Sequence, residues 1–467
     1  MNVKKLFRII SLGLACVTSA ASIGCNAGNA GKEESSSSTV APESSVQQST
    51  TQDSSSTVES VGLPEIDQAK WLYGGCELAS EVGPTGDWRD PGNTMEWTAK
   101  TAGALGVKSH RVWMHLDHII GRKVKSNDLY FLEDAVENYH RYFQLLKENG
   151  VERIVVMNHR FLYPYGFKPG TTYSVPDPVE DYDIYKEWLE MYTECYKMLA
   201  TEFTEIDFWE CGNEFDLTQF LHKSNYKTDP QNGILTEGEA AAVTADLCYA
   251  ARKGVKSVDD NNYVVLPGIS EFATNNYFES IYLAIESKEY PTIEEYYVTD
   301  PDEYFDILAW HAYPINSTNP ATNSSNVKGD VDKALTTFKN RCLELHETAK
   351  KHGDGEKRVW FTEIGGSELY LGKLGSKAAQ EMHAQYLLDI FNIVTNDLPF
   401  VETCFWFRYS SLAVRNVEPP SENHFGIFYS PDDTVNKGKP KPVALAYFRL
   451  INGENADTSP LYWYSKK

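Results

Sequence analysis

Basic residues are scarce in this chain of 467 residues, since 43 Lys and Arg stand against 66 Asp and Glu, for a formal net charge of −23. A surface of this sign repels a phosphate backbone, so no nucleic-acid partner is expected. It fits a neutral substrate better than an acidic one. A Gly-rich phosphate-cradling loop and a Ser-His-Asp order are also lacking, which argues against a nucleotide site and a serine-hydrolase triad.

Paired cysteines are lacking as well. Eight cysteines occur, and none lies in a CxxC pair. Cys76, Cys211 and Cys404 fall inside apolar, strand-like runs, so we expect buried free thiols rather than a disulfide framework or a zinc site. The segment 115–118 contains metal-ligand residue types, but their spacing matches no familiar site. We therefore predict neither a catalytic metal nor a cofactor.

No aromatic residue occurs between Phe7 and Trp71. The segment 1–25 has a basic start, an apolar run and small residues before Cys25, which is the anatomy of a secretory signal rather than a membrane span. It resembles a bacterial lipoprotein signal with Cys25 as the lipidation site. This predicts an extracellular protein tethered to the bacterial membrane. Ordinary signal-peptidase cleavage, which would leave the protein fully secreted, is the alternative.

The segment 26–62 is dominated by Ser and Thr over much of its length. Such a polar stretch buries too little surface to offset its conformational entropy, so a flexible linker is predicted. No second linker and no internal repeat follow, and residues 63–467 are expected to form one catalytic domain. We expect a monomer.

Short apolar runs alternate with longer amphipathic segments through this domain. Strand alternating with helix favours βα units and a parallel sheet. Eight such units predict a (β/α)8 TIM barrel, with an open doubly wound sheet as the competing interpretation. The predicted strands are Trp71–Cys76, Ser109–His115, Arg153–Asn158, Ile206–Gly212, Tyr263–Gly268, Phe305–His311, Arg358–Glu363 and Val401–Phe407. The predicted helices are Leu132–Glu148, Tyr185–Phe203, Glu237–Ser257, Val331–Lys351 and Ala378–Asn396.

Polar residues cluster at the carboxyl ends of these strands, where a barrel carries its chemistry. Two of them are carboxylates: Glu214 follows Asn213 after the fourth strand, and Glu363 ends the seventh. We expect the two to face one another across the barrel mouth. Cleavage of a glycosidic bond needs such a pair, one carboxyl to protonate the leaving oxygen and one to attack or stabilise the anomeric carbon.

These motifs resemble the clan A glycoside hydrolases, in which an acid/base follows Asn on strand four and a nucleophile ends strand seven. Family 5 is similar in the widest set of positions, and the tail, with Phe425-Gly426-Ile427 and Ala446-Tyr447-Phe448, is similar to family 39. The resemblance covers residues from about 70 to 452. The matching positions here are Arg111, His159, Asn213, Glu214, His311, Tyr313, Glu363 and Trp406.

The resemblance implies a role for each of these residues. Glu363 is the expected nucleophile, its pKa lowered by Arg111 and Tyr313, and Glu214 is the expected acid/base with a raised pKa. Asn213 is expected to bind the sugar 2-hydroxyl. Expected to line the sugar site are His159, His311 and, as its floor, Trp406. The alternatives are an ion pair inside the barrel for Arg111 and core packing for His159, His311 and Trp406.

The function implied is a retaining hydrolase of β-glycosidic bonds in plant-type polysaccharides or their oligosaccharides, such as xylan, mannan or β-glucan. Two alternatives stay open. The first is a surface glycan-binding protein that has lost catalysis, an interpretation kept open by Phe215 and Cys211, which depart from the clan pattern. The second is a transglycosylase, which uses the same residues and differs in acceptor access.

Overall fold

The computed structural model describes residues 63, 65–82, 91–271, 273, 275–288, 290–316, 320–321, 326–412 and 423–465. All of them belong to one compact unit, Ser60–Lys467. The predicted signal with Cys25 and the predicted linker lie outside the described residues, so both stay predictions. Within the described part of the chain, no helix combines the length and the apolar character that a membrane crossing requires.

Eight parallel strands form a barrel, and four short strands form two small sheets outside it. In spatial order the barrel strands are β10-β11-β12-β1-β2-β5-β7-β9. Parallel bridges from Val265 to Ile307 and from Ile269 to Trp310 join the two remaining edges. The strands are β1 (Tyr73–Cys76), β2 (Ser109–His115), β3 (Ile120–Arg122), β4 (Leu129–Phe131), β5 (Arg153–His159), β6 (Ser174–Val175), β7 (Phe208–Glu210), β8 (His222–Lys223), β9 (Tyr263–Val265), β10 (Leu308–His311), β11 (Val359–Ile364) and β12 (Val401–Phe407). The predicted (β/α)8 barrel is confirmed, and the open-sheet alternative is wrong.

A long helix follows every barrel strand and packs outside the barrel. The helices are α1 (Gln68–Trp71), α2 (Met95–Leu105), α3 (Leu116–Ile119), α4 (Glu133–Glu148), α5 (Tyr182–Glu202), α6 (Glu237–Lys256), α7 (Asn275–Glu286), α8 (Val327–Lys351), α9 (Lys377–Asp397) and α10 (Pro442–Asn452). Local chemistry fixes several starts. Thr94 accepts from the backbone of α2, and Thr236 with Glu239 forms a capping box on α6.

Two apolar layers follow from strand alternation. Side chains pointing inward fill the barrel, and those pointing outward form the larger core under the helices. The interior cluster consists of Cys76, Val155, Phe208, Val265, Ile307, Ala309, Trp360 and Phe405. β1 reads Tyr-Gly-Gly-Cys, and a Cβ on Gly75 would lie 1.8 Å from the Tyr409 hydroxyl oxygen, so this close approach requires glycine.

The cysteines of this unit are free and buried, as predicted: Cys76, Cys195, Cys211, Cys248, Cys342 and Cys404. Burial raises the pKa of Cys76 to about 12, which keeps this thiol protonated. Cys211 and Cys248 lie with their Sγ atoms 3.3 Å apart between β7 and α6.

Candidate active site

Glu214 lies just beyond β7, on a backbone that is held in an unusual conformation. Its φ is 48°, a left-handed value that few residues other than glycine adopt. The Glu214 amide donates to the Gly268 carbonyl at 3.0 Å, and Asn213 forms a bridge with Gly268. These contacts to the neighbouring strand impose the conformation, and such strain is concentrated at functional sites.

Gly212 and Phe215 lie on either side of the Asn213-Glu214 pair and fit one another. A Cβ on Gly212 would lie 2.2 Å from the Phe215 ring, and the φ of Gly212 is 153°. Phe215, which departs from the clan pattern, is buried and packs against Phe161. The departure at this position therefore has a packing cause.

Glu363 points into the barrel because β11 is irregular. The register of β11 with β10 and β12 shifts between Trp360 and Ile364. Trp360 is part of the interior cluster, and the shift turns Glu363, three residues later, to the same side. The two carboxylate oxygens of Glu363 accept hydrogen bonds, one from Arg111 Nη1 at 2.6 Å and one from the Tyr313 hydroxyl at 2.9 Å.

Arg111 is fully buried on β2 and binds both Glu363 and Glu210. Its Nε and Nη2 donate to the two oxygens of Glu210 at 2.5 and 3.1 Å, and Nη2 also donates to Asn213 Oδ1 at 3.0 Å. Glu210 was not predicted as a site residue. The signal was present in the sequence, because a carboxylate inside an apolar strand needs a partner. Arg111 is thus both the predicted site residue and a barrel ion-pair partner.

His311 lies between Glu214 and Glu363. Its Nδ1 lies 2.8 Å from Glu214 Oε1 and 3.8 Å from Glu363 Oε2. One ligand-type atom from each of Glu214, His311 and Glu363 lies within 4.8 Å of the others. Three groups of these types could bind a cation. However, both Glu363 oxygens already accept hydrogen bonds from Arg111 and Tyr313, which matches a paired carboxylate better than a metal ligand.

Burial favours the neutral form of both carboxyls, but their neighbours move the two pKa values apart. In Glu363 burial is outweighed by His311, the charge of Arg111 and the hydrogen bonds from Tyr313 and Arg111, so its pKa is lowered. Burial also lowers the pKa of His311. The ring is therefore neutral near pH 7, and we attribute the effect on Glu363 mainly to Arg111 and Tyr313.

In Glu214, burial is reinforced by the negative charges of Glu363 and Asp216, and its pKa is raised well above the usual value. The site therefore favours the ionised form of Glu363 and the protonated form of Glu214. A nucleophile beside a general acid requires these two states.

His159 ends β5 and faces the barrel mouth on the same side of the strand as Val155, a member of the interior cluster. Its ring packs against His115 and Tyr173, with centroids 5.4 and 4.6 Å away. Burial and the nearby charge of Arg111 hold its pKa well below the ordinary value. His159 therefore presents a neutral imidazole at the strand ends, where the sequence placed it.

The prediction for Trp406 is wrong. Its indole is fully buried on the outer side of β12, against Phe391 of α9 and Tyr447 of α10. Strand alternation explains this, because Phe405 points into the barrel and residue 406 must then point out. The inward position is taken by Phe407. Core packing, the alternative considered for Trp406, is correct.

An aromatic surface that the sequence did not predict lines one side of the mouth. Trp113 of β2 and Phe407 of β12 have nearly parallel rings, 6.4 Å apart and inclined by 10°. Phe425 contacts both Phe407 and Tyr313, with centroids 5.5 and 5.7 Å away. Trp113 lies two residues after Arg111 on β2, so strand alternation turns it to the same inner face.

The fold is that of clan A glycoside hydrolases of families 5 and 39, as the sequence motifs predicted. No protein-family model matches the chain, and no curated protein matches its sequence. The comparison with solved structures therefore rests on the arrangement of strands and helices.

A family 39 glycoside hydrolase from Bacteroides cellulosilyticus WH2 is 14% identical with a TM-score of 0.50, over 84% of this chain and 65% of that one. A GH5_18 protein from Bifidobacterium longum subsp. infantis is 15% identical with a TM-score of 0.50, over 82% and 78%. A β-glucosidase from Exiguobacterium marinum is 14% identical with a TM-score of 0.53, over 83% and 99%. The chain thus spans about two thirds of the family 39 structure and nearly all of the β-glucosidase.

Proposed function

We propose that the protein is a retaining β-glycoside hydrolase, with Glu363 as nucleophile and Glu214 as acid/base. The observation that carries the proposal is the pair itself: carboxylate oxygens of the two residues lie within 4.8 Å, with pKa values moved in opposite directions. Retaining enzymes hold their carboxyl groups about 5–5.5 Å apart, whereas inverting enzymes need about 6.5–9.5 Å to admit a water.

In the first step, a Glu363 oxygen attacks the anomeric carbon while Glu214 gives its proton to the departing glycosidic oxygen. The C–O bond to the leaving group breaks, an ester bond to Glu363 forms, and an alcohol departs. Tyr313 and Arg111 hold the attacking carboxylate ionised and oriented. Asn213, whose Oδ1 is fixed by Arg111, is turned so that its amide nitrogen can donate to the sugar 2-hydroxyl.

In the second step, Glu214 is ionised and removes a proton from water, whose oxygen attacks the same anomeric carbon. The ester bond to Glu363 breaks, the sugar leaves with its original configuration, and Glu214 is protonated again. His311 remains 2.8 Å from Glu214 and fixes the orientation of this carboxyl. If a sugar hydroxyl replaces water, the same step is a transglycosylation.

The substrate class we propose is a neutral, β-linked plant-type polysaccharide or its oligosaccharides. A net charge of −23 disfavours an anionic chain. The rings of Trp113, Phe407 and Phe425 supply apolar faces of the kind on which sugar rings stack. A β-glucosidase and an exo-β-1,4-mannosidase are among the solved structures with this fold.

Activity on xylan, mannan, cellulose and β-glucan oligosaccharides tests the proposal, with Glu363→Gln and Glu214→Gln in parallel. Each variant should lose at least about 100-fold in kcat, the lower end of what a positioned acid or base contributes. Glu402→Gln is the matched control, because Glu402 is a buried carboxylate that pairs with Arg153 and Arg358 instead. A wild-type protein that binds glycans without turnover, and variants that bind as well, would identify a glycan-binding protein.

The mechanism is tested by NMR of the first product formed. Retention of the β configuration is expected, and inversion would exclude Glu363 as nucleophile. Adding an acceptor sugar to the same reaction separates the two remaining alternatives. Products longer than the substrate would identify a transglycosylase.

We further propose that the enzyme works outside a bacterial cell, tethered through a lipid on Cys25. The support is the sequence alone: the basic start, the apolar run and the small residues before this cysteine. Expression in a bacterial host with labelled palmitate should label the wild type and not Cys25→Ser. Equal labelling of both proteins, or release of unlabelled wild type to the medium, would contradict the tether.

A further inference from the structure

Four polar side chains that the proposed mechanism does not use lie together at the barrel mouth, beside β2 and β5. His115 and His159 are register partners at the ends of these strands. The single turn of α3 then places the His118 ring 5.4 Å from the His115 ring, and Arg160 follows His159 directly. We call His115, Asp117, His118 and Arg160 the rim cluster.

Arg160 is held rigidly within the rim cluster. Its Nε donates to Thr172 Oγ1 at 3.1 Å, its Nη1 to His118 Nε2 at 2.7 Å, and its Nη2 lies 2.9 Å from Asp117 Oδ2. Its backbone has a φ of 69°, in the left-handed region. A strained residue at a strand end costs stability, and such residues persist mainly at functional sites.

The rim cluster is not satisfied by its own contacts. Because Arg160 donates to His118 Nε2, the proton of the neutral His118 ring is on Nδ1. This Nδ1, Asp117 Oδ1 and His115 Nδ1 are buried atoms that find no hydrogen-bond partner among the residues described. Most buried polar atoms in proteins are paired, so three unpaired atoms in one patch indicate a ligand.

Other buried polar atoms without a hydrogen-bond partner in the described part of the chain include the indole nitrogens of Trp188, Trp310 and Trp406, which are packed under the helices. The rim cluster differs because it reaches the surface. The side chains of Arg160, Asp117 and His118 are 24%, 18% and 18% exposed.

The chemistry of the rim cluster suits a neutral ligand with hydroxyl groups. Arg160 is neutralised by Asp117. Burial and the charge of Arg160 lower the pKa of His118 to about 4, and burial lowers that of His115 to about 3, so both rings are neutral. A donor on His118 beside an acceptor on Asp117 matches a sugar hydroxyl, which both donates and accepts. Within the described residues, the group with metal-binding geometry lies elsewhere, at Glu214, His311 and Glu363.

The rim cluster adjoins the catalytic pair along a single strand. Arg111, Trp113 and His115 alternate on the inner face of β2, so they rise in this order from the carboxylates to the mouth. Trp113 contributes an aromatic face between the two ends, stacked on Phe407. An apolar face with a polar rim is the usual composition of a sugar-binding position.

We propose that Trp113 and the rim cluster form a second sugar-binding position, which holds the glycone unit next to the one whose bond is cleaved. The inference rests on the proposed glycosidase function and deepens it. The substrate class is then a neutral β-linked chain with at least two sugar units on the non-leaving side. Asp117, His118 and Arg160 bind its hydroxyls and take no part in the chemistry.

The test compares 4-nitrophenyl β-glycosides that carry one or two sugar units, in the gluco, xylo and manno series, by release of nitrophenol. Wild type should show a kcat/KM at least about 10-fold higher for the two-unit substrate, and Asp117→Asn or Arg160→Gln should remove most of this gain, since each loses a charge-assisted hydrogen bond. Activity on the one-unit substrate should stay within about twofold. Arg252→Gln is the matched control, an 18% exposed arginine paired with Asp306 at 2.8 Å near the amino ends of the strands.

Equal losses of kcat/KM on the one-unit and two-unit substrates would overturn the second sugar-binding position, as would a wild-type kcat/KM that is no higher for the two-unit substrate. Neither outcome would contradict the proposed glycosidase function. If wild type hydrolyses no glycoside, the proposed function fails, and calorimetric titration with cello-, xylo- and manno-tetraose decides the second position separately. Weaker binding by Arg160→Gln than by Arg252→Gln would support it. Equal binding by the two variants, or none by wild type, would refute it.

Discussion

Replacing Arg111 with methionine should destabilise the protein and also change the pH dependence of its activity. Arg111 is completely buried and is hydrogen-bonded to Glu210, Glu363 and Asn213. Breaking a buried pair by removing one partner costs about 3–5 kcal/mol, because the remaining charge is left uncompensated. Unfolding entropy is about 2.1 cal/mol/K per residue, or about 0.84 kcal/mol/K for roughly 400 residues. The expected fall in Tm is therefore about 4–6 °C.

The effect on catalysis follows from the same contacts. The folded-state pKa of Glu363 is lowered, so its ionised form stabilises the fold above its ordinary pKa, and this stability is lost as pH falls through the lowered value. Without Arg111 the pKa of Glu363 should rise. The acidic limb of the kcat/KM profile should then move to higher pH, with a loss of at least about 100-fold at neutral pH.

Arg153→Met is the matched control for this experiment. Arg153 is 5% exposed in its side chain and pairs with Glu402 at 2.9 Å, at the opposite end of the barrel. It should lower Tm by a similar amount without moving the acidic limb. Differential scanning calorimetry and pH–rate profiles measure both quantities. An Arg111→Met protein that keeps its acidic limb where the wild type has it would refute the assignment of Arg111 as the group that keeps Glu363 ionised.

Three further predictions concern the surroundings of the catalytic pair. Trp406→Phe should lower the free energy of unfolding, measured by urea denaturation, by about 1–3 kcal/mol with little change in KM. Phe407→Ala should instead lower kcat/KM by about tenfold. The reverse pattern would show that Trp406, and not Phe407, contacts the sugar. Gly212→Ala should lower the free energy of unfolding, and the double variant with Phe215→Leu should lose less of it than the sum of the two single losses. Additive losses in urea denaturation would show that the Phe215 ring is not what excludes a Cβ at residue 212. His311→Ala should lower kcat by up to about 100-fold for alkyl glycosides and far less for 2,4-dinitrophenyl glycosides, because the dinitrophenolate leaving group departs without being protonated. Equal losses of kcat on both substrates in steady-state assays would contradict a role of His311 in orienting Glu214.

Much of the barrel was predictable because βα alternation repeats along the whole domain. The strands Ser109–His115 and Val401–Phe407 were predicted with their observed bounds. The predicted fourth strand, Ile206–Gly212, was too long, since the chain leaves the sheet after Glu210 to form the turn that carries Glu214. The helix Met95–Leu105 was missed, because glycine and threonine interrupt its apolar pattern.

The site was harder to predict wherever a strand departs from the regular alternation of inward and outward side chains. Trp360 and Glu363 are three residues apart, so simple alternation puts them on opposite faces, yet the register shift in β11 turns both inward. No local signal marks such a shift. Trp406 shows the opposite case, because simple alternation from Phe405 would have turned it outward. It was assigned from the resemblance instead, and that position in the barrel is filled by Phe407.

The contacts of Arg111 also join the two halves of the chain. The arginine and Glu210 lie in the first half, on β2 and β7, and hydrogen-bond to each other. Glu363 lies in the second half, on β11, the seventh barrel strand, and binds the same guanidinium. One buried side chain therefore links three strands that are not hydrogen-bonded neighbours, so a change on any one of them reaches the other two.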